Sequence, residues 1–246
     1  MNFGNCMNKT INQYLDSILD DIRFFHNPYF KNLKNGDFEK VDYIETQIQI
    51  YNVVQVFPRL LADLIAKLPE GTLRTTIVQS LYEGHSADFS EDDQSLLVLF
   101  LNKLGMSKEE IDKRALWPES RLFIMAARGT CALDTYIVAA AFLGAIEYMF
   151  LSVAKWTEHS LVERGWLTDK DLLYYANHEK LDKKHSQNFF DLIEKRWDSS
   201  ETDKYYIKQG LLLGAFAFND LYSHLYADRT HRSFRTITEP HIKFEQ

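Results

Sequence analysis

Residues 136–154 read YIVAAAFLGAIEYMFLSVA, and Glu147 is the only charged side chain among them. The run is long enough to cross a bilayer. A carboxylate near its middle, and no second run of this kind, instead favour the central helix of a bundle. Because a carboxylate loses several kcal/mol when stripped of water, Glu147 needs a compensating partner. The run therefore predicts either a metal ligand or a glutamate of raised pKa paired with a tyrosine or an arginine.

A second stretch, HEKLDKKH at residues 178–185, places three potential metal ligands on one helix face. At about 100° per residue, Asp182 lies about 40° to one side of His178, and His185 lies about 20° to the other. Tyrosine, leucine and phenylalanine side chains share that face, whereas the lysines lie opposite. The pattern predicts a buried His/Asp/His arc, which a cation would neutralise; a solvated His/Asp pair is the alternative.

A third candidate ligand is Glu83, which ends an otherwise apolar helical stretch. Alone it is a weak signal, because a glutamate near a helix end is ordinarily exposed. Together with Glu147 and residues 178–185, it gives carboxylates and imidazoles from three helices. Helical bundles build carboxylate-rich di-iron or di-manganese sites in this way.

The rest of the chain also follows the helical period. Thr10 and Ser107 are placed to cap helices, and Pro58 is expected to kink a long helix over residues 38–68 near Val56. Alternating strands, internal repeats and low-complexity linkers are absent from the sequence. We therefore expect one all-α domain spanning residues 1–246.

Composition narrows the classes of partner. The chain has 246 residues and a net charge of −7, which argues against nucleic acid and anionic membranes as partners. Cys6 and Cys131 form no CxxC motif and no disulfide framework, as is usual in a reducing compartment. The first ten residues lack the apolar core of a signal peptide. We expect a cytoplasmic protein, with a homodimer as a possible assembly.

These motifs resemble the heme-oxygenase-like di-iron oxidases, in the superfamily that includes thiaminase II (TenA), pyrroloquinoline-quinone synthase (PqqC) and the CADD-like proteins. The similarity runs from about His26 to Trp197. It rests chiefly on the spacing at residues 178–185, supported by Val56-Phe57-Pro58, Leu81-Tyr82-Glu83, Leu104-Gly105 and the Glu147 helix. The resemblance implies a single heme-oxygenase-like bundle of about seven to eight helices.

The resemblance also implies a ligand set for two iron ions, or a manganese/iron pair, with dioxygen as co-substrate. Residues that match the family pattern are Glu83, Glu147, His178, Asp182 and His185. The family's early histidine is not matched: counting back from Gly105 places Asp93 there, with His85 as the competing ligand. His85 follows Glu83 by two residues, so it would join the set only if the helix unwound near Gly84.

Tyr29 is a candidate catalytic residue by the same resemblance. CADD-like relatives are thought to consume an active-site tyrosine in self-sacrificing chemistry, and His26-Asn27-Pro28-Tyr29 is placed similarly. Tyrosines on apolar helix faces are more often simply part of the core.

The sequence thus predicts a metal-dependent oxidoreductase, a non-heme di-iron or Fe/Mn oxidase or oxygenase that uses dioxygen to oxidise a small organic substrate. The alternative is a CADD-like or PqqC-like bundle with a degenerate metal site that binds a ligand or a protein. An enzyme with one metal ion lies between the two.

Overall fold

The structure is a computed structural model that describes residues 10–69, 71–87, 95–230 and 236; the side chains of residues 85–87 and 177–180 lie outside the description. Within these ranges the chain forms eleven α-helices and two short 3-10 segments. The α-helices are α1 Ile11–Asp21, α2 Pro28–Asn35, α3 Lys40–Val54, α4 Phe57–Lys67, α5 Thr72–Ala87, α6 Leu96–Lys103, α7 Lys108–Asp112, α8 Pro118–Leu133, α9 Tyr136–Glu163, α10 Leu173–Trp197 and α11 Glu201–Ala227. The 3-10 segments are Phe24–His26 and Asp169–Asp171.

Helix α9 is the centre of the bundle, with α10 and α11 as its main neighbours. It begins after Thr135, whose side chain accepts a hydrogen bond from the backbone N–H of Val138. From Ile137 to Glu147 every side chain is buried, because the helix is apolar on all sides and neighbours cover each face. The apolar run thus forms the core helix that the sequence predicts.

Glycines allow the neighbouring helices to approach α9 closely. A Cβ atom on Gly210 would lie 2.4 Å from the carbonyl oxygen of Val138, and one on Gly214 would lie 2.5 Å from that of Phe142. On α9 itself, a Cβ atom on Gly144 would lie 2.6 Å from the ring of Phe190 in α10. These contacts fix how α10 and α11 sit against the helix that carries Glu147.

The all-α prediction is confirmed for the described residues, which form no strand; their β-type pairing includes an isolated bridge between Arg114 and Thr236. The expected seven to eight helices were too few. Proline has no backbone N–H to continue a helix, so a new helix begins at each of three prolines. Pro28, Pro58 and Pro118 each lie in the first turn of a separate helix. The predicted helix over residues 38–68 is accordingly two helices, α3 and α4, rather than one kinked helix.

One helix in the described ranges, α9, is long and apolar enough to cross a membrane by length and composition. Of its most apolar 18-residue window, 78% is buried inside the bundle. Such burial is typical of a core helix.

Candidate metal centre

Glu147 of α9 and Asp182 and His185 of α10 form a cluster of potential metal ligands. One ligand atom from each residue lies within 4.8 Å of the other two. All three side chains are buried, with relative exposures of 8%, 2% and 6%. The structure therefore brings together three of the residues that the sequence predicts as ligands.

The amphipathic face of α10 explains how the cluster forms. Asp182 and His185 are three residues apart and lie on one side of the helix, whereas the intervening Lys183 and Lys184 are exposed. Phe189 and Ile193 continue the buried face toward the core. The predicted buried arc is therefore correct for these residues.

Glu83 of α5 lies at the rim of the cluster. Its Oε2 atom is 3.5 Å from Nε2 of His185. The same carboxylate accepts hydrogen bonds from Nζ of Lys184 at 2.6 Å and Nε2 of Gln79 at 3.1 Å. The hydrogen bond from Lys184, followed by that from Gln79, holds the pKa of Glu83 below its ordinary value. Glu83 is therefore ionised at neutral pH beside the imidazole.

The structure does not describe the side chains of three further predicted ligands. His178 belongs to α10 and His85 to α5, but both side chains lie outside the described set, and Asp93 lies outside the described residues altogether. The three-donor cluster, with Glu83 beside it, is thus what the described side chains form.

The donor set fits a divalent first-row metal ion. Two carboxylates and an imidazole within 4.8 Å offer oxygen and nitrogen donors of the kind that non-heme iron and manganese take. Two carboxylates that are both more than nine-tenths buried also repel each other and are poorly hydrated, so a bound cation stabilises the site. The residues present therefore suit the metal that the fold family implies.

An apolar cavity adjoins the cluster, with Glu147 and Asp182 in its wall. Its volume is about 80 Å³. Rings and aliphatic side chains form most of the remaining lining: Ile50, Val53, Phe57, Phe150, Tyr174 and Tyr222. A small apolar or aromatic molecule in this cavity would lie directly against two of the three clustered ligands.

Tyr29 is fully buried one aromatic ring away from this cavity. Its ring centroid lies 5.0 Å from that of Tyr222, which lines the cavity. Burial raises the pKa of Tyr29 well above its ordinary value, so the phenol keeps its proton. The structure thus places Tyr29 behind the cavity wall rather than among the clustered ligands.

A directional hydrogen-bond chain holds Tyr29. Tyr175 Oη donates to Oε1 of Gln47 at 3.0 Å, and Nε2 of Gln47 donates to Oη of Tyr29 at 2.7 Å. The Thr46 hydroxyl donates to the carbonyl oxygen of Tyr43, so its Oγ1 is left to accept. Oη of Tyr29, 2.7 Å away, therefore donates to Thr46 Oγ1.

Sequence reasoning missed Gln47 and Thr46. The one available signal was the run DYIETQIQI at residues 42–50, where Gln47 lies on the other side of the helix from the remaining polar residues. All nine of these residues are buried in α3. Helical periodicity cannot show which of them face a tyrosine.

Comparisons with known proteins identify the fold and the family of the chain. The curated 4-aminobenzoate synthase of Chlamydia muridarum (strain MoPn / Nigg) is 22% identical over 181 residues, which are 73% of this chain and 76% of that protein. A Shewanella denitrificans OS217 domain of unknown function with a heme oxygenase-like fold superposes with a TM-score of 0.65 at 16% identity. That match covers 91% of this chain and 93% of the other.

A TenA homologue from Pseudomonas syringae pv. tomato superposes with a TM-score of 0.68 at 14% identity, covering 88% of this chain and 93% of that one. At such identities the structures show the heme-oxygenase-like fold, as the resemblance implies. The sequence pattern of the family described as iron-containing redox enzymes matches residues 45–219, which include Glu83, Glu147, Asp182 and His185. The chain therefore belongs to this family of iron-containing redox enzymes.

Proposed function

We propose that the protein is an iron-dependent oxidase or oxygenase that uses dioxygen to oxidise a small organic substrate bound in the cavity beside Glu147 and Asp182. The observation that carries the proposal is the buried Glu147/Asp182/His185 cluster in the wall of an apolar cavity. A cluster that served only structure would not need to line an apolar cavity.

Glu147, Asp182 and His185 would hold one metal ion, with His178 completing the set. Glu83 would join from the rim, since its carboxylate is ionised and 3.5 Å from the imidazole of His185. We extend the proposal to a second metal ion held through Glu83 and Glu147, with Asp93 or His85 in place of the family histidine. We propose iron at the first site, which has the histidine nitrogen donors. At the second site, hard oxygen donors would favour manganese.

Bound ferrous iron supplies the electrons with which dioxygen is reduced. The chain itself provides the orientation and the dry surroundings. Phe57, Phe150 and Tyr174 line the cavity with rings, which exclude water from the reacting groups. The apolar lining selects a small substrate with an aromatic or aliphatic body, and the carboxylates of Glu147 and Asp182 place its reactive end.

Tyr29 is a second part of the proposal, supported by its position rather than by a contact with the ligands. The phenol is held in one orientation by Thr46 and Gln47 and packs on Tyr222 of the cavity wall. The 4-aminobenzoate synthase of Chlamydia muridarum makes an aromatic product by its name. A buried tyrosine consumed during turnover is consistent with an aromatic product here too.

Oxygen uptake tests the oxidase proposal. Protein loaded anaerobically with Fe(II) and mixed with air-saturated buffer in an oxygen electrode should consume dioxygen faster than the same concentration of free Fe(II). Glu147→Gln should lower uptake to the rate of free Fe(II), since it removes a buried ligand charge. The control Glu194→Gln, on the exposed face of α10, should leave uptake unchanged. If the loaded wild type matches free Fe(II), the alternative of a ligand- or protein-binding bundle with a degenerate metal site replaces the oxidase.

Peptide masses test Tyr29. If the tyrosine is consumed, the Tyr29 peptide should change mass after aerobic incubation with Fe(II), and the corresponding peptide of Tyr29→Phe should not. An unchanged mass after measured oxygen uptake would contradict the role of Tyr29 while leaving the metal-dependent oxidation intact.

A further inference from the structure

A second cavity lies between α2 and α9, away from the metal centre. Its volume is about 770 Å³, and it shares no lining residue with the cavity beside Glu147. Phe30 lines this second cavity and Tyr222 lines the cavity beside Glu147, and their ring centroids are 4.8 Å apart. Packed aromatic rings thus separate the two sites.

The lining of this second cavity is basic. Lysine and histidine side chains from two helices and the 3-10 segment Phe24–His26 line it: His26, Lys31, Lys34, Lys155 and His159. Within the described part of the chain, no carboxylate lines it. The chain as a whole has 35 acidic residues against 28 basic ones. A concentration of positive charge in one concave site is therefore a local feature that favours an anion.

The spacing of these basic residues carries a cost. Lys31 and Lys34 are three residues apart on α2, so two like charges are neighbours on that wall. On the α9 wall, Nε2 of His159 lies 3.1 Å from Oε1 of Glu163, which does not line the cavity. An anion between the two helices would relieve the repulsion between the two lysines of α2.

The same cavity offers aromatic surface. Phe25, Phe30 and Trp156 line it. The Phe25 ring is 52% exposed and meets the Trp156 ring edge to face at 6.0 Å, so ring surface is open to a ligand. An inorganic anion would leave this surface in water, whereas a ligand that carries a planar ring would cover it.

Fixed contacts hold the walls in place. The guanidinium of Arg164 donates to the carbonyl oxygens of Leu33 at 3.1 Å and Gly36 at 3.3 Å, which ties the end of α2 to α9. At the other end, Nδ2 of Asn27 donates to Oδ1 of Asn219 at 2.8 Å. The site is therefore preformed by hydrogen bonds between helices.

We propose that this cavity binds a small phosphorylated aromatic compound of the nucleotide type. The lysines of α2 neutralise the phosphate, and the ring lies against Phe25 and Trp156. Phosphate suits the site better than a single carboxylate, because two neighbouring lysines can balance a dianion. The proposal stands independently of the metal centre.

Calorimetric titration of the full chain with AMP, adenosine and inorganic phosphate tests it. We expect AMP to bind saturably at one site and at least about tenfold more tightly than adenosine or phosphate, because only AMP supplies both charge and ring. No saturable binding of AMP at millimolar concentration would overturn the proposal. Adenosine or phosphate binding as tightly as AMP would also overturn it.

Matched variants locate the site. The double variant Lys31→Gln/Lys34→Gln should weaken AMP binding by about tenfold or more, whereas Lys170→Gln/Lys195→Gln, with the same loss of charge at exposed positions outside the cavity, should not. Equal weakening in both would mean a nonspecific charge effect and would overturn the assignment. Phe25→Leu should weaken AMP but leave phosphate unchanged; unchanged AMP affinity would overturn the stacking. Because Lys31, Lys34 and Phe25 are exposed, thermal melting should confirm that these variants remain folded.

Discussion

At the scale of single residues, buried polar groups tie the core to the cavity. Gln47 serves two tyrosines at once, accepting from Tyr175 and donating to Tyr29. The Tyr175 ring in turn stacks on Phe150 of the cavity wall, with centroids 6.3 Å apart. One amide in α3 therefore holds two tyrosines, each packed on a ring that lines the candidate substrate site.

Replacing Gln47 should cost stability. Gln47→Leu removes the acceptor of the buried Tyr175 hydroxyl and one of the two hydrogen bonds at Oη of Tyr29, which still donates to Thr46, and we expect a loss of about 1–3 kcal/mol in the free energy of unfolding. Urea denaturation followed by circular dichroism measures it. The control Gln187→Leu, at an exposed position of α10, should change it by less than about 0.5 kcal/mol. A Gln47→Leu protein as stable as the control would contradict the assigned hydrogen-bond chain.

The thiol of Cys131 should be inert in the folded protein. Burial raises its pKa to about 12, and the thiolate is the reactive form. In a Cys6→Ser background, which leaves Cys131 as the only cysteine, a disulfide reagent at pH 8 should label the native protein far more slowly than the urea-unfolded protein. Similar rates in both states would show that the thiol is accessible.

At the scale of helices, the sequence predicts faces better than boundaries. The buried arc of α10 and the caps at Thr10 and Ser107 follow from local rules, and the structure has both capping boxes. The break between α3 and α4 at residues 55–56 was expected only as a kink. The sequence alone does not show whether the residues on either side of Pro58 form one bent helix or two helices with separate axes.

The approach of α11 to α9 gives a prediction with opposite signs at two glycines. Gly214→Ala should destabilise the protein by about 1–3 kcal/mol despite the better helix propensity of alanine, because its Cβ would lie 2.5 Å from the carbonyl oxygen of Phe142. Gly129→Ala in α8, where a Cβ meets nothing within 4 Å, should stabilise it by up to about 1 kcal/mol. Thermal denaturation compares them. Stabilisation by both substitutions would show that α9 and α11 are farther apart.

At the scale of the whole molecule, the sequence predicts an all-α heme-oxygenase-like fold, and the comparisons and helices confirm it. It names candidate ligands on α9 and α10 because a carboxylate in an apolar run and a His/Asp/His arc are local patterns. The sequence does not predict the basic cavity, because His26 and Lys31 are more than a hundred residues from Lys155 and His159 along the chain. Only the packing of α2 on α9 brings them together.

Anaerobic titration with Fe(II), followed by calorimetry and elemental analysis, tests the metal centre most directly. The wild type should bind iron saturably, and Asp182→Asn should weaken binding at least about tenfold because it removes a buried ligand charge. Asp191→Asn, on the exposed face of the same helix, should bind as the wild type does. Wild-type protein that retains neither iron nor manganese above trace at saturating metal, or equal binding by Asp182→Asn and wild type, would contradict the metal centre formed by Glu147, Asp182 and His185.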